Sequence, residues 1–451
     1  MNISSLLKNN YDENSRVLIR NISYGASLKV INFGILFLTV PLLIDCLSPQ
    51  KYGIWITLLS LGAWFNMTDF GLGNGLRNKL TESVSKGNTE EAKKSISIVY
   101  SSVLFGCMVF SVIFSIVIQF IDWDIVFNVP SSFTEPLAFI VTIFGIGTLW
   151  VLFLKLVYNI FYAYQQIFVV NVIDTCIQLV TFMGLIMLKF FVTNISLLNV
   201  VSLFIGIQIG VLIVINLMVY RLKYDIYVPV FKKFSVEESK PLLKLSGSFF
   251  GVQIVGWFMY LSDNLLITQL FGTSEVANYN IAYRYFAILG IVWGLSYASI
   301  WSIASKSFSI NDLRWIKKMV KVINFSAIIT VLLALFLLAF SEAFYHLWVG
   351  ERTVILPILS VSVAVYWFLN AFSQGIFSIT NGMGKMRLQF VLNLILSILN
   401  IVIAIFLSKY TTLGVACVPL ATSICLVIQL VFMQIQCYKI LNNSAFGIWD
   451  K

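Results

Sequence analysis

Six ionisable side chains interrupt stretches of sequence that are otherwise apolar, and they are the residues most able to carry function in this chain. They are Lys29, Asp69, Lys155, Asp174, Asp263 and Arg284. A charge near the centre of a bilayer costs about 3 kcal/mol or more, so such residues are usually retained for binding or transport. The sequence offers no nucleophile–base set, which favours binding of a ligand or ion over covalent chemistry.

Lys29 and Asp69 are predicted to lie at similar depth, about 10 Å inside one end of their apolar stretches at about 1.5 Å per residue. Each belongs to a polar helical face, and the face of Asp69 continues to Arg77. The two charges are interpreted either as a structural ion pair or as part of a transport cavity. The polar faces around them favour the cavity, because such faces point into protein or water rather than lipid.

Asp263 and Arg284 form a second candidate pair, each about 12 Å from the other end of its stretch at about 1.5 Å per residue. A structural ion pair between neighbouring helices and a place in the transport cavity both remain open. Lys155 lies near enough to a helix end to extend its amine to the membrane surface.

Amide side chains line three of the apolar stretches. Asn171 and Gln178 flank Asp174, and Asn393 and Asn400 repeat their spacing later in the chain. A third face carries Asn370 and Gln374. Hydrogen bonds between helices would explain each face alone. Three such faces in one bundle indicate a hydrated cavity able to bind hydroxyl-rich ligands.

The elements that must position these side chains are membrane helices. The chain of 451 residues is 59% hydrophobic and 11% charged, and its mean hydropathy is +0.91. A helix crosses a bilayer with about 20 apolar residues, which predicts an all-α integral membrane protein with about twelve spans. The spans are predicted at 22–44, 52–76, 95–121, 136–158, 168–188, 197–220, 246–271, 276–303, 322–345, 355–380, 389–408 and 413–437.

Basic residues predict the orientation of these spans. An even number of spans puts both termini on one side, and 23 of the 30 Lys and Arg residues fall in the termini and loops of that side. Only four fall in the opposite loops. Positive loops stay inside, so both termini are expected to be cytoplasmic. The net charge of +10 therefore reflects orientation, and no nucleic-acid partner is expected. The six cysteines are interpreted as small hydrophobic residues, and a metal site is not expected.

The chain is internally repeated, which predicts two six-helix halves. The segment 47–55 matches 271–279, and Lys93-Lys94 match Lys317-Lys318 at the same spacing. The predicted divisions are an N-terminal half at 1–220, a cytoplasmic linker at 221–244 and a C-terminal half at 245–451. Two copies inserted in the same orientation predict a pseudo-twofold axis along the membrane normal, with the substrate site between the halves.

The loops opposite the cytoplasm are short, which disfavours a membrane enzyme that builds its active site on a large external domain. The tripeptide Asp122-Trp123-Asp124 has the spacing of a metal–sugar site, but such tripeptides are common by chance. We therefore expect a transporter and not an enzyme.

A family resemblance rests on three features of the chain. They are the twelve spans in two copies, the Pro49-x-x-Tyr52-Gly53 turn and the segment from Asp69 to Asn78. It resembles the bacterial flippases of polysaccharide repeat units, which serve O-antigen or capsule synthesis. They belong to the multidrug/oligosaccharidyl-lipid/polysaccharide exporter superfamily. The resemblance implies that an undecaprenyl-diphosphate-linked oligosaccharide is moved across the inner membrane by alternating access. It also implies that Lys29, Arg284 and Arg77 meet the diphosphate.

The resemblance further implies coupling to a proton or sodium gradient, with no bound cofactor. The expected partners are the lipid-linked glycan, the bilayer, a glycan polymerase and a chain-length regulator. A cation-coupled multidrug exporter of the same superfamily is the first alternative, although such a cavity should favour acidic and aromatic residues. A membrane enzyme of glycan assembly is the second.

Overall fold

A computed structural model describes most of the chain. The described residues are 13–65, 76–77, 79–80, 83–84, 86–129, 133–164, 166–230, 263–309, 312–350 and 354–450. Within these ranges the regular structure is helical throughout.

Helices fill the described part of the first half of the chain. They are α1 (Glu13–Cys46), α2 (Pro49–Phe65), α3 (Thr89–Val117), α4 (Trp123–Val126), α5 (Leu137–Leu154), α6 (Tyr158–Ala163), α7 (Ile167–Phe191) and α8 (Leu197–Met218). The helices of the second half are α9 (Asp263–Phe271), α10 (Thr273–Phe286), α11 (Ile288–Ser309), α12 (Leu313–Val349), α13 (Pro357–Gly382), α14 (Arg387–Tyr410) and α15 (Cys417–Leu441).

These helices confirm the predicted all-α membrane fold. In the described residues, eight helical segments are long and apolar enough to cross a bilayer. The four other predicted spans overlap the described helices α1, α2, α9 and the consecutive pair α10–α11. Many side chains on these helices are large, apolar and exposed, such as Phe190 on α7 and Phe325 on α12. Lipid is the solvent that such a surface requires.

The chain packs as two compact units. The first contains Met1–Cys46, Phe65–Ile121 and Glu135–Phe250, and the second contains Leu47–Trp64, Asp122–Thr134 and Gly251–Lys451. Two segments of the first half, Leu47–Trp64 and Asp122–Thr134, thus pack with the second unit. The division into halves with a linker at 221–244 stays a prediction. The pseudo-twofold relation between the repeats stays a prediction.

The two copies of the repeated segment meet within the second unit. A Cβ atom on Gly53 would lie 1.7 Å from the backbone oxygen of Thr273, so only glycine permits this approach of α2 to the start of α10. One helical turn further on, the hydroxyl groups of Thr57 and Thr268 are 2.9 Å apart. The Tyr52-Gly53 motif is therefore explained by packing of one repeat on the other.

Each unit has its own apolar core. In the first, α3, α5, α6, α7 and α8 bury a cluster that includes Ile96, Leu156 and Leu212. In the second, α12, α13, α14 and α15 bury a cluster that includes Ile323, Ile376 and Met433. These cores hold the backbone on which the polar side chains described below are placed.

Candidate polar sites in the two units

In the first unit, a short turn between two helices places a charged cluster. Helix α5 ends at Leu154, a 3-10 turn covers Lys155–Val157, and α6 starts at Tyr158. The Lys155 Nζ atom lies 3.7 Å from Oδ1 of Asp174 on α7. The Tyr158 hydroxyl donates a 2.9 Å hydrogen bond to the same oxygen. The turn thus brings a cation and a hydroxyl to one carboxylate.

Arg77 joins this cluster through a contact with the ring of Tyr162. Its guanidinium carbon lies 4.6 Å from the centre of the Tyr162 ring on α6, a cation–π distance. Asp174 and Arg77 both act electrostatically on the Tyr162 hydroxyl. We call Arg77, Lys155, Tyr158, Tyr162 and Asp174 the inner polar cluster.

The inner polar cluster is open enough to exchange ligands. The side chains of Lys155 and Asp174 are each 39% exposed. Their separation exceeds the roughly 2.7–2.9 Å of a tight charge-assisted hydrogen bond. An anion with several oxygens could therefore compete with Asp174 for the Lys155 ammonium, while the planar guanidinium of Arg77 offers paired donors.

The amides predicted beside Asp174 lie on the same helix. Asn171 and Gln178 are both partly buried on α7. Within the described residues, the buried Oε1 atom of Gln178 accepts no hydrogen bond. A buried amide oxygen without a donor is costly, so Gln178 has acceptor capacity for water or for a ligand hydroxyl.

In the second unit, Asp263 is surrounded differently. It is buried at the start of α9, with 6% exposure. The Tyr279 hydroxyl on α10 donates a 3.2 Å hydrogen bond to its Oδ2 atom, and Asn400 and Thr422 also approach the carboxyl group. Its Oδ1 atom accepts no hydrogen bond from the described residues.

The candidate ion pair of Asp263 with Arg284 is absent from the described residues. The described groups that approach the carboxyl group are the hydroxyls of Tyr279 and Thr422 and the amide of Asn400, and none of them is a cation. The buried Nη1 atom of Arg284 has no hydrogen-bond acceptor in the same part of the chain. Arg284 instead acts electrostatically on the hydroxyls of Tyr52 and Tyr283. It is a partly buried cation with unused donor capacity.

The second pair of amides joins two neighbouring helices. Asn393 on α14 accepts a short hydrogen bond from Gln429 on α15. Asn400 accepts a 3.3 Å hydrogen bond from the Thr422 hydroxyl. Both contacts are the interhelical hydrogen bonds that the structural interpretation predicts. The Nδ2 atom of Asn400 still lacks an acceptor in the described residues.

Two predicted residues cannot be placed. Lys29 belongs to α1, but its side chain lies outside the described residues, and Asp69 lies outside them entirely. Across the described ranges, no group of three or more His, Cys, Asp or Glu side chains could hold a metal ion.

Sequence reasoning missed the tyrosines of these sites. Tyr158 lies at the end of a predicted span, where tyrosines commonly anchor a helix at the membrane interface, yet it is only 6% exposed and its hydroxyl donates a hydrogen bond to Asp174. A signal was available, because Tyr158 follows Lys155 by three residues and therefore shares its helical face. The sequence around Tyr279 gave no comparable indication of a polar contact. Tyr279 lies within the repeated segment 271–279 and is explained there as part of the repeat.

Comparison with known proteins supports this description. A family model described as "Polysaccharide biosynthesis protein" matches residues 18–300. A protein of Yersinia pseudotuberculosis named "Putative O-antigen export protein" is 21% identical over 65% of this chain and 66% of its own length. The chain thus spans about two thirds of that relative. A "Putative O-antigen transporter" of Salmonella typhimurium is 20% identical over 81% of this chain and 83% of its own length.

The fold has solved counterparts. One is described as the inward-facing conformation of a multidrug resistance MATE family transporter of the MOP superfamily. It aligns with a TM-score of 0.71 and 13% identity, covering 93% of this chain and 96% of that one. At this identity the likeness shows the fold, which is a bundle of about twelve transmembrane helices.

Proposed function

Because the chain belongs to the polysaccharide biosynthesis protein family, we propose that it translocates an undecaprenyl-diphosphate-linked oligosaccharide across the bacterial inner membrane. Movement occurs by alternating access, for the synthesis of O-antigen or capsule. Relatives named for O-antigen export and transport support this substrate class. Both termini lie in the cytoplasm, as the asymmetry of basic loops indicates.

The observation that carries this proposal is the inner polar cluster. Lys155 and Arg77 lie among apolar helices, where each charge needs a polar or hydrated surround. A diphosphate has the same need, because it cannot enter hydrocarbon bare, while its polyprenyl tail can remain in the lipid. Lys155 then exchanges Asp174 for a phosphate oxygen, and Arg77 binds a second oxygen. Lys29 and Arg284 supply further cations along the path.

Translocation requires no bond to be made or broken, so the chain acts as a transporter and not as an enzyme. The family and the shared fold support this assignment. The downstream partners are a glycan polymerase and a chain-length regulator, which act on the same lipid-linked glycan.

Asp263 couples this movement to an ion gradient. Its carboxyl group is buried with no cation within ion-pairing distance in the described part of the chain. A small cation, either a proton or sodium, is the natural ligand for such a group in a membrane bundle. Binding and release of that cation bias the transport cycle.

A multidrug exporter is the second candidate, because the solved counterpart is described as a multidrug resistance transporter. An organic cation would suit the buried Asp263 and its tyrosine. It would not suit the exposed cations of the inner polar cluster, so an anionic head group is the better match.

The test measures surface glycan per molecule of folded protein, in cells that lack their own exporter. Lys155→Ala should lower export at least tenfold, because the diphosphate loses a charge-assisted contact, and Lys155→Arg should retain most of it. The exposed Lys409 at the end of α14 provides the control Lys409→Ala, which should export normally. Normal export by Lys155→Ala would remove the cluster from substrate binding.

The orientation is tested separately with reporter fusions. Fusions after Lys94 and Lys318 should report a cytoplasmic location, and a fusion after Asp124 should report an external one. An external location at Lys318 would contradict both the orientation and the two-half organisation.

A further inference from the structure

A second polar site lies in the second unit, beside the junction of two consecutive helices. Helix α10 ends at Phe286 and α11 begins at Ile288. Ala287 between them keeps right-handed helical dihedrals, and its N–H donates a 3.0 Å hydrogen bond to the backbone oxygen of Tyr283. The two helices therefore continue into each other and present one surface to α13.

A cavity of about 410 Å³ lies beside this junction, between α10–α11 and α13. Gly290 and Gly294 form one side, and Trp367, Asn370 and Gln374 form the other. A Cβ atom on Gly294 would meet no atom within 4 Å, so that residue borders open space. The volume lies within the roughly 300–1,000 Å³ of small-ligand pockets.

Trp367 forms a rigid aromatic wall of the cavity. Its indole Nε1 donates a 2.9 Å hydrogen bond to the backbone oxygen of Tyr283, and the two rings pack with centroids 4.9 Å apart. A Cβ atom on Gly290 would lie 2.5 Å from the Trp367 ring, so glycine is needed for this close approach. The ring is thereby fixed before any ligand arrives.

Two amides provide the polar edge of the cavity. Gln374 donates a long 3.5 Å hydrogen bond to Asn370, whose own amide donates to the Tyr366 hydroxyl at 3.3 Å. An amide has two donors and a two-lone-pair acceptor, so much of this capacity remains for a ligand. Gln374 is exposed, and an exposed amide within a membrane-spanning helix is better placed against water or a polar ligand than against lipid.

Among the described residues, the lining contains no Asp, Glu, Lys, Arg or His. A diphosphate would lack a counter-ion here, and so would an organic cation. A pyranose ring fits both surfaces, because its C–H face can pack on an indole while its hydroxyl rim bonds to amides. We propose that this cavity, the α11–α13 pocket, binds one neutral sugar ring of the transported oligosaccharide. The proposal rests on the function proposed above and names a sugar subsite within it.

The test uses purified full-length protein in lipid nanodiscs and two probes. One is farnesyl diphosphate, and the other is farnesyl diphosphate carrying a neutral hexose disaccharide. Gly294→Leu fills the pocket without a steric conflict at Cβ. Gly206→Leu on α8 is the matched control, because Gly206 also has no atom within 4 Å of a built Cβ. Gln374→Leu removes the amide at similar volume.

Gly294→Leu and Gln374→Leu should weaken binding of the glycosylated probe at least tenfold and fivefold, respectively. Both variants should bind farnesyl diphosphate like the wild type, as should Gly206→Leu with either probe.

Equal binding of the glycosylated probe by Gly294→Leu and wild type would overturn the sugar subsite alone. The same would follow if Gly294→Leu lost both probes equally. If the wild type bound neither probe, the proposed function would fail, and the subsite with it. Loss of tetraphenylphosphonium binding by Gly294→Leu, with sugar binding intact, would instead identify a drug pocket.

Discussion

Asp174 in the first unit and Asp263 in the second are both bound by a tyrosine sixteen residues away, yet they are suited to different ligands. Tyr158 donates to Asp174 at 2.9 Å, and Tyr279 donates to Asp263 at 3.2 Å. Asp174 is half-exposed and has Lys155 beside it. Asp263 is buried and has no lysine or arginine partner in the described ranges.

The two carboxylates differ in whether a cationic side chain lies beside them and in how far they are exposed to solvent. At the inner polar cluster, the loose ion pair keeps a lysine ready for an anionic head group, and solvent screens the charges until that group binds. Asp263 is buried and has no cationic partner among the described residues, so in the mechanism proposed above a small cation compensates its carboxylate. The proposed anion site and the proposed cation site thus belong to different units.

The largest expected effect is on the dependence of export on an ion gradient, which should differ between variants of the two carboxylates. Asp263→Asn should abolish the stimulation of export by an ion gradient, because the amide no longer binds a cation. Asp174→Asn should reduce export while preserving that stimulation. The measurement is glycan transport into proteoliposomes, with and without an imposed proton or sodium gradient. Preserved stimulation in Asp263→Asn would show that coupling resides elsewhere.

A smaller effect tests whether the pair of Lys155 and Asp174 is structural. Lys155→Gln and Asp174→Asn each leave one charge without its partner. The double variant removes both charges and so leaves no unpaired charge. If the pair only stabilises the fold, the double variant should recover both protein abundance and export. We expect abundance to recover and export to stay at least tenfold low, because the phosphate contact of Lys155 is still missing. Full recovery of export would make the cluster structural.

The sequence predicted the positions of the helices along the chain well and their rotation poorly. Apolar length determines which segments can cross a bilayer, and each predicted span overlaps a described helix. Asp263 and Arg284 match in depth, but Arg284 and Tyr279 are five residues apart on one helix, about 140° around its axis. Which of them faces Asp263 depends on how the helices are rotated against each other. Sequence spacing within one helix does not contain that information.

The α11–α13 pocket was unpredictable for a related reason. Asn370 and Gln374 could be identified as one amide face from their spacing. The indole that faces them across the cavity becomes apparent only when α13 is packed on α11.

The smallest expected effect compares the two tyrosines directly. Tyr158→Phe and Tyr279→Phe each remove one hydroxyl from a buried ring, with Tyr158 at 6% and Tyr279 at 3% exposure. After Tyr158→Phe, Asp174 still has Lys155 and solvent, so the loss should be about 0.5–1.5 kcal/mol. After Tyr279→Phe, Asp263 loses its hydrogen-bond donor while buried, so the loss should be larger, about 1–3 kcal/mol.

Thermal unfolding of the two variants in the same detergent measures this difference, with the wild type as reference. Tyr162→Phe is the control, because the Tyr162 ring, rather than its hydroxyl, carries the contact with Arg77; it should lower the midpoint least. Addition of the coupling cation should raise the midpoint of the wild type and of Tyr158→Phe alike. It should raise that of Tyr279→Phe less, because the carboxyl group has lost the donor that orients it. Equal shifts in all three proteins would remove Tyr279 from the cation site and leave it as a packing residue.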